Sequence, residues 1–300
     1  MLVAIGCLMA AVGCTRNPGS SGELELVWGR RGVAPGRFQK PRAMAASGRG
    51  ELYIVDMTAR IQVFTPDGKY LRGWHTPVHT NGRPTGMSFD RQGRLCVADT
   101  HYYRVLIYSP QGKLLRIVGG KQGNGPGEFG LVTDVAQDSQ GNYYVAEYGE
   151  YDRIQKFSPS FKFLLEWGGH GSAPGQFRRP QSLAIDSKDR IWVADACNHR
   201  IQVFDSGGKL LSVWGRQGRA PGELSYPYSI EFDSHGNVLV CEFGNHRVQK
   251  FTADGKPLAH WGTHGRAPGE LHNPWSIVCD SQGRIHVLDT YNHRVQRVVM

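Results

Sequence analysis

Residues 167–204 of this 300-residue chain are WGGHGSAPGQFRRPQSLAIDSKDRIWVADACNHRIQVF. Two further stretches, WGRQGRAPGELSYPYSIEFD from residue 214 and VCEFGNHRVQKF from residue 240, repeat its pattern closely. The pentapeptide R-[I/V]-x-x-[F/Y/V] recurs every 44 to 49 residues, at Arg60, Arg104, Arg153, Arg200, Arg247 and Arg294. Self-similarity at such a period indicates a repeat architecture.

Each repeat contains four short runs in which apolar and polar residues alternate, as they do in half-buried strands. In the fourth repeat these runs are 181–186, 190–194, 200–204 and 209–214, separated by polar turns. The last run ends in one column of aromatic or apolar residues, Trp28, Trp74, Val118, Trp167, Trp214 and Trp261. Four strands in about 45 residues predict a propeller blade.

These motifs resemble the NHL repeat across residues 23–300. The resemblance implies an all-β, six-bladed propeller of four-stranded antiparallel blades, with strands a to d running from the axis outward. The chain ends after the third strand of the sixth repeat, whereas residues 23–28 (ELELVW) have the fourth-strand pattern. We therefore expect 23–28 to pair with 294–299, to complete the last blade and to close the ring.

The N-terminal residues resemble an export signal. Residues 1–13 are an uncharged apolar run too short to span a bilayer, and residues 11–14 (AVGC) resemble the lipobox of bacterial lipoproteins. We expect a signal peptide at 1–13, a lipidated Cys14 and a flexible tether over 14–22. The predicted location is the bacterial cell envelope, extracytoplasmic and lipid-anchored, in the periplasm or at the cell surface. An ordinary secretory signal and a chance apolar N-terminus are the alternatives.

The formal net charge of +9 comes from 35 Lys and Arg against 26 Asp and Glu. The loops that join strand d to the next strand a hold only three acids and these basic residues: Arg30, Arg31, Arg37, Lys40, Arg42, Arg83, Lys121, Arg178, Arg179, Arg216, Arg219 and Arg266. In propellers these loops share one face with the b–c turns. A basic face attracts anionic partners, although a solvated surface that only favours solubility is the simpler explanation.

Two recurring columns invite functional interpretations that the pattern disfavours. An acid ends strand b in every repeat, four to six residues before the Arg of strand c, which favours six structural ion pairs. His199, His246 and His293 occupy equivalent places on the ring, so they should lie on the order of 10 Å apart, too far for one metal ion. We expect no metal and no cofactor.

Side chains converge only near the axis, where strand a opens with Arg42, Thr85, Thr133, Gln181, Tyr228 and Trp275. This column is varied and polar or aromatic, so it is a candidate ligand-facing ring, with mere channel lining as the alternative. Asp134 and Glu231 stand in columns of small or apolar residues and are candidates for perturbed pKa values. The predicted binding residues are Arg31, Lys40, Arg42, Arg83, Arg178, Arg179, Gln181, Arg216, Tyr228 and Trp275.

The predicted function is a monomeric binding or scaffold propeller that engages an anionic glycan, a phosphate-bearing polymer or an acidic protein. Predicted export argues against nucleic acid as the native partner. The alternative is a propeller lyase or hydrolase with its site at the channel mouth. The propeller resembles that of the peptide-amidating lyase, in which zinc-binding histidines follow the proline that opens an inner strand. No histidine follows the corresponding prolines here, so we name no catalytic residue.

Overall fold

The structure, a computed structural model, describes residues 21–300. The predicted signal peptide, Cys14 and most of the predicted tether lie outside the described residues. Blade 1 contains strands Pro41–Ala46, Leu52–Asp56, Arg60–Phe64 and Tyr70–His75. Blade 2 contains Gly86–Phe89, Leu95–Asp99, Arg104–Tyr108 and Leu114–Gly119. Blade 3 contains Leu131–Gln137, Tyr143–Tyr148, Arg153–Phe157 and Phe163–Gly168.

The second half of the ring continues the same order, from strand a at the axis to strand d outside. Blade 4 contains Pro180–Ile185, Ile191–Asp195, Arg200–Phe204 and Leu210–Trp214. Blade 5 contains Pro227–Phe232, Val238–Glu242, Arg247–Phe251 and Pro257–Trp261. Blade 6 contains Ser276–Cys279, Ile285–Asp289, Arg294–Val299 and, as strand d, Glu23–Trp28. The all-β, six-bladed architecture predicted from the repeats is confirmed.

The smaller elements lie in the connections. Three 3-10 turns, Thr100–Tyr102, Ala196–Asn198 and Thr290–Asn292, form b–c turns. Two short parallel strands, Thr263–His264 and Glu270–Leu271, form part of the loop between blades 5 and 6. In residues 21–300 no helix has the length and apolarity that a membrane crossing requires.

The N-terminal strand closes the ring as expected. Glu23 pairs with Val299 and Trp28 with Val295, antiparallel, with a register shift between Leu24 and Leu26. Ser21, which precedes the predicted strand, also contacts the propeller, since its backbone N–H donates to the His260 carbonyl at 3.0 Å. Both ends of the propeller are therefore held in the outer part of blades 5 and 6.

The tryptophan column packs neighbouring blades together. Trp28 lies against Phe38 and Phe64, with ring centroids 5.9 and 4.9 Å apart. The c–d turn of blade 1 crosses the indole at Gly68, where a Cβ atom would lie 2.5 Å from the ring and where φ is +83°. Only glycine satisfies both conditions without strain. The same contact recurs at Gly112, Gly208 and Gly255.

Arginines in strand c fix the d–a loops. Arg200 Nε donates to Asp195 at 2.7 Å, and its terminal nitrogens donate to the carbonyls of Ser172, Ala173 and Gln176 in the preceding loop. All six predicted pairs are present: Asp56–Arg60, Asp99–Arg104, Glu147–Arg153, Asp195–Arg200, Glu242–Arg247 and Asp289–Arg294. Their structural interpretation is confirmed.

Candidate ligand sites on the axis and on the basic face

The first strands surround an axial cavity of about 280 Å³. If the column Arg42, Thr85, Thr133, Gln181, Tyr228 and Trp275 is counted as the first position in each blade, the lining extends from that position to the fifth, such as Cys279. Three serines at the second position, Ser182, Ser229 and Ser276, each accept the backbone N–H at the third position of the next blade, at 3.3 to 3.4 Å. The cavity is therefore lined by side chains that also link the blades.

Asp134 occupies the serine position of blade 3 and acts as a double acceptor. One carboxylate oxygen accepts the N–H of Leu183 in blade 4, as a serine would, and the other accepts its own neighbour Val135, both at 2.9 Å. In blade 2 the equivalent residue is Gly86, where a Cβ atom would lie 2.3 Å from the Thr133 carbonyl oxygen. Because Gly86 has no side chain to bond the next blade, Asp134 replaces the missing acceptor.

Glu231 lies deeper, at the fourth position of strand a. It is half-buried against the cavity, and burial raises its pKa to about 8, with the Cys279 N–H opposing the rise and Asp134 adding to it. Burial likewise raises the pKa of Asp134 to about 7, opposed by the two N–H bonds and by Ser182. The expectation that these two acids have perturbed pKa values is supported.

The opening residues of strand a close the channel beneath the basic face. Thr85, Thr133, Gln181, Tyr228 and Trp275 are buried, with Gln181 2% and Trp275 8% exposed. Toward the opposite face the fifth residues, such as Cys279, are half-buried. The predicted ligand-facing ring is thus a packed lid over the cavity, and the cavity becomes more accessible away from the basic face.

Two arginines lie on this lid, held by aromatic rings. The Arg42 guanidinium lies 5.0 Å from the Trp275 ring centroid. The Arg179 guanidinium lies between Tyr148 and Tyr228, at 4.8 and 5.2 Å, and its Nε donates to Gln181 at 2.9 Å. Stacking on an aromatic face leaves the N–H edges of a guanidinium available to an anion.

Arg83 completes a cluster of three cations. Burial lowers the pKa of Arg42, and the charges of Arg83 and Arg179 lower it further, so both of these arginines act on Arg42. In the described residues, the side chains of Arg42, Arg83 and Arg179 form no ion pair with an acid. We call these three residues the arginine cluster.

The structure does not gather every predicted binding residue at this cluster. The Nζ atom of Lys40 lies over the ring of Tyr291, 4.8 Å from the ring centroid. Arg31 is exposed and acts on His293, and Arg178 is exposed and bonds Asp195 through its backbone N–H at 2.7 Å. Arg216 pairs with Glu223 of its own loop at 3.1 Å, so its charge is compensated locally.

The b–c turns supply residues that the repeat columns did not reveal. Tyr148 and Phe243 directly follow the acid of strand b, while His101 and Tyr291 stand one position later. Burial lowers the pKa of His101, and Arg83 and Arg42 lower it further; its Nδ1 has no partner in the described residues. The signal available in the sequence was position, since all four of these residues stand one or two places after the acid that ends strand b.

Three histidines also lie close together, although they do not occupy equivalent positions in the repeat. His246 lies 4.3 Å from His264 and 6.0 Å from His272, measured between ring centroids. Burial and these two imidazoles lower the pKa of His246 to about 4. No set of three or more His, Cys, Asp or Glu residues within 21–300 has the geometry to hold a metal ion. The expected separation applied to equivalent positions, whereas this group combines a b–c turn with a d–a loop.

Comparisons with known proteins agree with the blade pattern. The family model described as NHL repeat matches residues 177–204, 224–251 and 271–298. NHL repeat-containing protein 3 of Mus musculus is 30% identical over 167 residues, covering 50% of this chain and 47% of that protein. Peptidyl-glycine alpha-amidating monooxygenase B of Xenopus laevis is 36% identical over 126 residues, covering 39% of this chain and 14% of that protein. The chain therefore spans at most about half the length of these curated relatives.

Solved structures share the fold at low sequence identity. A streptogramin B lyase structure has a TM-score of 0.64 at 12% identity and covers 90% of this chain and 95% of that one. Virginiamycin B lyase from Staphylococcus aureus has a TM-score of 0.60 at 13% identity, with coverages of 87% and 80%. Six four-stranded blades, the matching family model and the NHL relatives together show that this chain is an NHL-repeat six-bladed β-propeller.

Proposed function

We propose that this propeller is a binding module that takes an anionic ligand or partner on its basic face, centred on the arginine cluster. The observation that supports this most directly is that Arg42, Arg83 and Arg179 lie together without an acidic partner. Three neighbouring cations repel one another, so a bound anion would relieve a cost that is present in the unliganded molecule. Two of the three are held by aromatic stacking, which reduces the entropy lost on binding.

The proposed ligand class is an anionic glycan, a phosphate-bearing polymer or an acidic protein, bound by a monomeric, extracytoplasmic, lipid-anchored propeller. The support for the location is the sequence of residues 1–22. Mass spectrometry of the protein purified from its own envelope tests the anchor. The expected species begins at a lipid-modified Cys14, and a mature chain that begins elsewhere with an unmodified terminus would contradict it.

Charge substitution tests the binding site. The triple variant Arg42→Gln, Arg83→Gln and Arg179→Gln should bind immobilised polygalacturonate and polyphosphate at least about tenfold more weakly than wild type in low salt, because it removes the uncompensated cations. The matched control also replaces three cations with glutamine. It changes three exposed lysines of the c–d turns to Gln, namely Lys113, Lys162 and Lys209. Equal loss in both triples, or no loss in either, would refute the proposal.

A lyase or hydrolase on the same face is the second candidate, because His101 lies beside two of these arginines with its pKa lowered. A neutral imidazole next to fixed cations can act as a general base toward an anionic substrate. The structural neighbours include lyases, which motivates an assay for turnover of a streptogramin B antibiotic. Turnover that His101→Gln abolishes would favour the enzyme, as would an ion that remains stoichiometric after dialysis; absence of turnover would favour binding alone.

A further inference from the structure

The axial cavity contains hydrogen-bonding groups of opposite kinds at its two ends. Beneath the basic face, Gln181 Nε2 and Trp275 Nε1 are buried donors with no partner in the described residues. The amide oxygen of Gln181 already accepts the Arg179 Nε hydrogen, so its NH₂ group is the end that remains available. At the accessible end, Glu231 holds a carboxyl group in contact with one backbone N–H, that of Cys279.

The unpartnered indole N–H of Trp275 differs in its location from the unpartnered indole N–H groups of the other tryptophans. Trp28, Trp74, Trp167 and Trp214 also have an unpartnered Nε1, but these four belong to strand d and none of them lines the axial cavity. Trp275 and Gln181 both line it. A buried donor without an acceptor is costly, and one that faces a cavity can be satisfied by a ligand.

We propose that the axial cavity binds a small bipolar molecule, with a carboxylate on the Gln181 and Trp275 donors and an ammonium group on Glu231. The two ends are three residues apart along strand a, about 10 Å at the usual rise. A cavity of about 280 Å³ is near the lower limit for ligand pockets, which suits a molecule of this length and narrow width. The arginine cluster does not line this cavity, but Arg179 bonds the amide oxygen of Gln181 and Arg42 stacks on Trp275, so the two sites are neighbours.

Charge selection follows from the groups around Glu231. The titratable groups that line the cavity are Asp134, Tyr228, Glu231 and Cys279. Burial raises the pKa of both Tyr228 and the Cys279 thiol, so both stay neutral where the two carboxyl groups ionise. With no cation among these groups, an ammonium ion is the partner that stabilises ionised Glu231.

The sign of the pH dependence distinguishes this ligand from an anion. Below a pKa of about 8 most Glu231 is protonated, so binding of an ammonium group should strengthen as pH rises, by up to about tenfold per unit. Ionisation of Asp134 near pH 7 adds in the same direction. A simple anion entering the cavity would bind more weakly as pH rises.

Calorimetric titration with ω-amino acids, from 4-aminobutanoate to 8-aminooctanoate, tests the proposal at pH 6, 7, 8 and 9. We expect one chain length to bind best, with affinity rising toward pH 9. The single-headed analogues hexanoate and hexylamine should bind at least about tenfold more weakly, because each leaves one end of the cavity unsatisfied. Failure of the entire series to bind, or equal binding of the single-headed analogues, would overturn the proposal.

Two variants locate the ends. Glu231→Gln should keep the fold, weaken binding of the best amino acid and leave at most the Asp134 contribution to the pH dependence. Asp134→Asn should keep the rise near pH 8 and lose only its lower part. The assignment of the ammonium group to Glu231 would be refuted if Asp134→Asn lost the entire pH dependence of binding while Glu231→Gln kept all of it.

Discussion

The molecule buries two kinds of carboxylate, and they differ in their partners. Asp195, which represents the six at the ends of strand b, accepts hydrogens from Arg200, Asn198 and the Arg178 backbone. Glu231 on the axis has one backbone N–H and no cation among the groups that shift its pKa. Burial raises the pKa of both Asp195 and Glu231. Burial alone therefore does not distinguish the two kinds of carboxylate, whereas the presence or absence of a cationic partner does.

Removing the arginine partner of a strand-b carboxylate should reduce the free energy of unfolding more than any other change proposed here. Arg247→Met leaves Glu242 buried without its cation and frees three loop carbonyls, so we expect a loss of about 3–5 kcal/mol in the free energy of unfolding. Urea denaturation measures it. Arg116→Met, at an exposed arginine outside the ion pairs, should change stability by about 0.5 kcal/mol or less. Similar effects in both variants would remove the distinction.

Asp134 should behave as a structural acceptor although it lies on the axis. Asp134→Ala leaves the N–H groups of Val135 and Leu183 without acceptors, at about 1–3 kcal/mol each, so a loss of about 2–4 kcal/mol is expected. Ser229→Ala removes one acceptor and should cost about half as much. In the folded state Asp134 is mostly protonated at pH 5 and ionised at pH 9, so the difference in unfolding free energy between Asp134→Asn and wild type should be smaller at pH 5 than at pH 9.

Substitution of Glu231 should change the free energy of unfolding least, and the size of this change should depend on pH. Its folded pKa of about 8 exceeds the ordinary 4.5, so the native state binds the proton more tightly than the unfolded chain. The stability from this proton is complete below pH 4.5 and is lost as pH rises through 8. Glu231→Gln should match wild type at pH 5 and be more stable at pH 9, on the order of 1–3 kcal/mol. Parallel stability curves from pH 5 to 9 would contradict this.

The repeat columns predicted much of the recurring framework. The acid and arginine columns gave the six ion pairs, and the pattern of residues 23–28 gave the closing strand. In blade 4 the predicted strands 181–186, 190–194 and 209–214 differ from the observed ones by one residue at most at either end, and 200–204 is unchanged. Each of these features is a local consequence of alternation and turn chemistry, which a sequence carries directly.

The features that do not recur needed the structure. The sequence correctly identified Asp134 as unusual in its column. The reason for the aspartate is that Gly86, in the preceding blade and 48 residues away, has no side chain to accept the Val135 N–H. His246 and His272 approach each other because loops of unlike kind meet on one face. The arginine cluster likewise depends on stacking against Tyr148, a residue that no column singles out.

The closing strand also dictates when the molecule can fold. Among the strands of the propeller, Glu23–Trp28 leaves the synthesising or exporting machinery first, and its partner Arg294–Val299 leaves last. Until then the nascent chain carries an unpaired strand at its start, and blades 1 and 5 each lack the neighbour that blade 6 will supply. A pairing of such high sequence separation forms slowly and only after Arg294–Val299 has emerged. Chains that stop early would expose this edge, so quality control that recognises unpaired strands could sort finished rings from truncated ones.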